Sequence, residues 1–150
     1  YSMRERTYRY MTKKPLYPFG YGLGYAQIDI TEAQLVQQPV LGEDMEIEAV
    51  LKNSSEMEGS EVVQVYIKDL ESPLAVPNYS LCAFEKICLR PGESGNVRLR
   101  ISSDALKVVD TDGSKKMDSR HFRLYVGTSQ PDERSIELTG KTPVQIDIHF

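Results

Sequence analysis

The chain has no tryptophan, only two histidines and two cysteines among its 150 residues, and no excess of basic side chains. Each shortage closes off a class of function. Without tryptophan there is no indole face on which a sugar could stack. Two cysteines, Cys82 and Cys88, cannot form a disulfide framework, and no Cys/His cluster has zinc spacing. Eighteen Lys and Arg are outnumbered by twenty-two acids, for a formal net charge of −4, and no basic stripe forms. That balance argues against a nucleic-acid partner. No apolar run approaches the length that spans a bilayer, and Tyr1-Ser2-Met3-Arg4-Glu5-Arg6 has no apolar signal-peptide core, so no membrane partner is expected. A chain that starts at Tyr1 is expected to be a piece of something longer.

What is abundant is tyrosine at the start. Six of the nine tyrosines fall in the first twenty-five residues. The run Pro15-Leu16-Tyr17-Pro18-Phe19-Gly20-Tyr21-Gly22-Leu23-Gly24-Tyr25 is too aromatic for a solvated linker and too rich in Pro and Gly for a helix. Each proline biases the residue before it toward extended backbone, and the alternating glycines admit close approach while the rings bury area against a neighbour. The run reads as a packed strap.

Beyond it the hydrophobic period is two. Met45, Ile47, Ala49 and Leu51 alternate with charged or polar residues, as do Val63, Val65 and Ile67, then Val97, Leu99 and Ile101. Phe122, Leu124 and Val126 follow the same rule, and so do Val144, Ile146 and Ile148. These are half-buried strands, separated by turn signals at Gly42-Glu43-Asp44, Asn53-Ser54-Ser55, Pro91-Gly92, Asp112-Gly113 and Pro131-Asp132. Short one-faced strands at this spacing predict a two-sheet sandwich. Phe84 and Ile87 have opposite parity, which predicts that this strand carries a bulge or changes sheets. Leu70 to Tyr79, with Pro73 and Pro77, reads as a connecting loop.

No reactive constellation emerges. His121 and His149 lack a neighbouring nucleophile and read as surface strand residues. Alternating acids such as Glu46 and Glu48 read as a solvated strand face rather than a hydrolytic pair. Asp110-Thr111-Asp112-Gly113 lacks the ligands that would complete a calcium loop and reads as a hairpin turn. No catalytic residue, metal ligand or cofactor site is assigned. Cys82 and Cys88 on one extended strand would lie roughly 20 Å apart, beyond bridging distance. Free thiols favour a reducing compartment, hence cytoplasmic over secreted. The sequons Asn53-Ser54-Ser55 and Asn78-Tyr79-Ser80 would matter only in a secreted eukaryotic protein.

Thr7-Tyr8-Arg9-Tyr10 followed by the strap resembles the segment that, in family-three glycoside hydrolases (β-glucosidases and relatives), leads from the catalytic domains into a fibronectin type III-like domain. Glu61-Val62-Val63-Gln64-Val65-Tyr66 resembles a strand of that domain, Phe84-Glu85-Lys86-Ile87 and Leu89-Arg90-Pro91-Gly92-Glu93-Ser94 its strand-and-turn signature, and Phe122 to Ser129 its last well-marked strand. Gly24 stands where the family usually has Ser. The resemblance implies an all-β fold, an immunoglobulin-like or fibronectin type III-like two-sheet sandwich with an extended N-terminal strap, divided as strap 1–24 and domain 25–150. It implies a non-catalytic accessory role beside the catalytic domains of the same parent protein, whose nucleophile and acid/base lie in domains absent from this sequence. Tyr17, Phe19, Tyr21 and Tyr25 are then the expected interdomain contacts, and sugar contact is at most peripheral. The alternative is an autonomous carbohydrate-binding or adhesive module in which Tyr66, Tyr79 and Tyr125 form the platform.

Overall fold

Strands whose every second residue is apolar can hide those residues only against another such face, and here two sheets meet in that way. In the computed structural model, which describes residues 6–18, 24–75 and 78–150, β1 (Ile28–Leu35), β2 (Met45–Asn53) and β5 (Ser94–Ile101) form one antiparallel sheet in the order β1-β2-β5. The second has the order β4-β3-β8-β9, built from β3 (Gly59–Asp69), β4 (Ser80–Leu89), β8 (His121–Gly127) and β9 (Val144–His149). A two-stranded hairpin, β6 (Val108–Val109) and β7 (Lys115–Lys116), carries the Asp-Gly turn expected from the sequence, with Gly113 at φ 85°.

The core lies between the sheets. Met45, Ile47, Ala49 and Leu51 face Val63, Val65 and Ile67 together with Phe122, Leu124 and Val126, all buried. Each Val, Leu or Ile so buried contributes about 1.5–3 kcal/mol, so this interface, not any surface pairing, holds the sheets together. The outward charges pair across strands instead: Glu48 with Arg98 at 3.2 Å and Arg123 with Asp147. Glu46 and Glu48 therefore behave as a strand face and its cross-strand partners.

Four local features depart from the sequence reading. The strand β1 went unread, because a register shift between Ile30 and Glu32 changes parity mid-strand, so Ile28 and Ile30 no longer alternate in phase with Ala33 and Leu35. β4 carries the expected bulge, but at Cys82 and not at the residues that suggested it: Val65 pairs with Ala83 and Tyr66 with Leu81, leaving Cys82 as the extra residue. The strand keeps to one sheet, and Phe84 has the parity opposite to Ile87 simply because it faces outward, 68% exposed. Pro131-Asp132 is not a turn but the entrance to α1 (Glu133–Thr139). There the Asp132 carboxylate accepts from Ser135 N at 2.6 Å, and Gly140, left-handed at φ 68°, ends the helix. Finally, the outward residues Gln64 and Tyr66 of β3 are buried, so the four-stranded sheet is covered on both sides there.

Both sequon asparagines are structural. Asn53 is fully buried; its Nδ2 donates to Met57 O (2.7 Å) and Leu89 O (3.1 Å), and its Oδ1 accepts from Ser55 N and Ser55 Oγ. It ties the β2–β3 turn to the end of β4. Cys82 and Cys88 are free, on the same strand, as their spacing required.

Candidate interdomain contact surface

The cover over Tyr66 is the N-terminal segment itself. A turn at Thr7, whose carbonyl accepts from Tyr10 N and Met11 N, folds the segment back, and the Tyr8 ring meets Tyr66 edge-on with centroids 6.5 Å apart. Tyr8 OH accepts from Leu81 N at 3.3 Å. Asn78 supplies the clamp, donating Nδ2 to Tyr8 O (2.9 Å) and Met11 O (3.1 Å) and its backbone N to Arg9 O. Lys14 then reaches α1, 3.1 Å from both Glu133 and Glu137. Those ion pairs are exposed, so water and salt screen them; the aromatic pair, about 0.5–1.5 kcal/mol beyond its buried area, and the Asn78 bonds are what seat the segment.

Past Lys14 the segment turns Leu16 and Tyr17 outward, while Pro18 is buried. Leu16 is 73% exposed and Tyr17 66%. Tyr25, where the chain enters the sandwich, is 95% exposed. Phe19 and Tyr21 lie outside the described residues. A groove of about 630 Å³ runs between the segment, the start of α1 and the β3–β4 loop, lined among others by Tyr17, Asn78, Tyr79, Gln130 and Arg134. The loop spans the interval expected, from the end of β3 at Asp69 to Ser80, and exposes Leu70 and Leu74.

The tyrosine that fixes the segment, Tyr8, was not among the predicted contacts. Its partner Tyr66 is 58 residues away, on the face that alternation assigns to solvent, so no local signal marks the pair. The stacking platform of the alternative reading is also altered. Tyr66 is fully buried, its hydroxyl donating to Gln64 Oε1 at 2.8 Å, and burial raises its pKa. Tyr79 and Tyr125 meet edge to face at 5.2 Å and an interplanar angle of 70°, so they do not present one flat surface.

His121 and His149, register partners on β8 and β9, stack at 3.9 Å; His149 is exposed, whereas His121 is half-buried rather than a surface residue. Burial pushes the Cys82 thiol up to about 12, the reverse of what a nucleophile needs, and its Sγ donates to Val65 O. Among the described residues, no group of three or more His, Cys, Asp or Glu could hold a metal ion.

The fibronectin type III-like domain family matches residues 61–130. A putative β-xylosidase of Formosa agariphila is 35% identical over 137 residues, 88% of this chain and 18% of that protein. The periplasmic β-glucosidase of Salmonella typhimurium is 33% identical over 83% of this chain and 17% of its own length. The crystal structure of a β-glucosidase from Listeria innocua superposes with a TM-score of 0.76 at 31% identity, over 91% of this chain and 17% of that one. The chain thus spans under a fifth of the length of these curated relatives.

Proposed function

Because this chain is a fibronectin type III-like domain of the kind carried by family-three glycosidases, we propose that it is the accessory domain of a β-glucosidase- or β-xylosidase-type hydrolase, packing against the catalytic domains and stabilising them. The observation that carries the reading is the alignment itself: nearly all of this chain matches a small share of each hydrolase. In this reading residues 1–24 join the domains and 25–150 form the sandwich, with Tyr17, Phe19, Tyr21 and Tyr25 as the contact residues. The exposed rings of Tyr17 and Tyr25 support it, since large aromatic area left in water is what an interface would cover.

The test is solvent accessibility in the intact hydrolase against this chain alone, read by oxidative footprinting of the tyrosines. Tyr17 and Tyr25 become protected in the intact protein. Equal labelling of both in the two samples refutes the docking role. The carbohydrate-binding alternative predicts heat on titration with cello-oligosaccharides; the accessory reading predicts none.

A further inference from the structure

At the end of the sandwich where Tyr25 enters, a second cleft of about 570 Å³ is lined by Tyr25, Gln27, Ser60, Glu61, Thr128 and Lys141, among others. Lys141 and Gln64, two of its polar side chains, are already engaged. Lys141 Nζ donates to Ile28 O at 2.6 Å and pairs with Asp29 at 3.2 Å. Gln64 donates to Thr128 O and accepts from Tyr66 OH. Glu61 has no such charged partner: its carboxylate accepts from Val62 N at 3.0 Å and forms no ion pair among the described residues. On β3 it has the parity of Val63, Val65 and Ile67, which point between the sheets, so it sits at the margin of the core. It is half-buried, and desolvation holds its carboxyl above the ordinary range, with Lys141 only partly offsetting this. A half-buried carboxylate with no ion-pair partner among the described residues, in a cleft shared with a 95%-exposed tyrosine, is suited to a charged contact.

We propose that this cleft receives a cationic side chain, a guanidinium or an ammonium, from the catalytic domains of the same polypeptide, with Glu61 as its counter-ion and the Tyr25 ring beside it. The inference rests on the docking reading above and adds the chemistry of the partner. Charge complementarity selects the occupant: Lys141 is committed to Asp29 and the Ile28 carbonyl, which leaves Glu61 without an ion-pair partner among the described residues. A cation over the exposed Tyr25 face gains from the ring as well as from the carboxylate.

The experiment compares the intact hydrolase as wild type, Glu61→Gln, Glu61→Lys and Tyr17→Ala, read by hydrogen exchange of the 24–28 and 59–64 amides and by circular dichroism as the check on folding. Glu61→Gln speeds exchange in both segments at least about tenfold, with an effect that shrinks as salt is raised, and Glu61→Lys does more. The same Glu61→Gln change in this chain alone leaves exchange unchanged or slows it, because there it only removes a desolvated charge. Unchanged protection in intact Glu61→Gln overturns the proposal. If Tyr17→Ala loosens the strap while Glu61→Gln does nothing, only the cation socket is lost. If both are silent, the docking reading falls with it.

Discussion

Replacing Asn53 by alanine removes four hydrogen bonds from a side chain with no exposed surface. Their losses are unequal. Leu89 is 3% exposed, so its carbonyl has no ready water and forfeits about 1–3 kcal/mol. Met57 is 54% exposed, and its carbonyl and the Ser55 amide rehydrate, at about 0.5–1.5 kcal/mol each. The sum is roughly 2–6 kcal/mol, which for a chain of this length lowers Tm by about 6–19 °C. Urea unfolding measures it, with the midpoint falling and the slope unchanged. Asn53→Asp is the sharper control: it keeps the acceptor for Ser55 but loses both donors and buries a carboxylate against two carbonyls, so at neutral pH it costs at least as much as alanine. A loss below about 1 kcal/mol for Asn53→Ala would mean that water replaces the amide, and the clamp argument would be wrong.

Asn78→Ala frees the segment over Tyr66, so proteolysis between residues 6 and 18 accelerates while the sandwich loses only about 1–2 kcal/mol, its two donated bonds; protease resistance equal to wild type would show that Tyr8 alone seats the segment. In the folded chain Cys88 reacts with a thiol reagent at the rate of an exposed cysteine and Cys82 at least a hundredfold slower, the two converging in denaturant; equal native rates would contradict the burial of Cys82. Acid lowers stability: hydrogen bonds from Arg120 N to Glu71 and from Arg123 to Asp147 hold both carboxyls below their ordinary values. A depressed folded-state pKa stabilises above the unfolded value and loses that contribution as pH falls through the folded one. Tm therefore declines below about pH 4.5, less steeply in Glu71→Gln, and parallel profiles for variant and wild type would remove Glu71 from the account.

Alternation was enough to read β2, β5, β8 and β9, because each has one face more buried than the other, and β3, where apolar and polar types still alternate although both faces are buried from Val63 to Ile67. It failed wherever geometry interrupts the period or a distant segment overrides it. The register shift after Ile30 hid β1. In α1, seven residues are too few to establish a 3.6-residue period, although the Asp132 cap and Gly140 were there to be read. The burial of Tyr66 and Gln64 depends on a partner that no local window contains. The strap was recognisable by composition, but which of its rings turn inward was not: Tyr8 packs on the sandwich, while Tyr17 and Tyr25 remain outside.

The seating of residues 6–18 also sets an order of events during synthesis. The segment leaves the ribosome before everything it rests on: Tyr66, Asn78, Leu81 and, 123 residues after Lys14, Glu137. At roughly 5–20 residues per second it waits about 6–25 s before its last contact exists. Throughout that interval Tyr8 lacks the ring it packs on, so the segment that comes to cover the sandwich is exposed until the sandwich has closed.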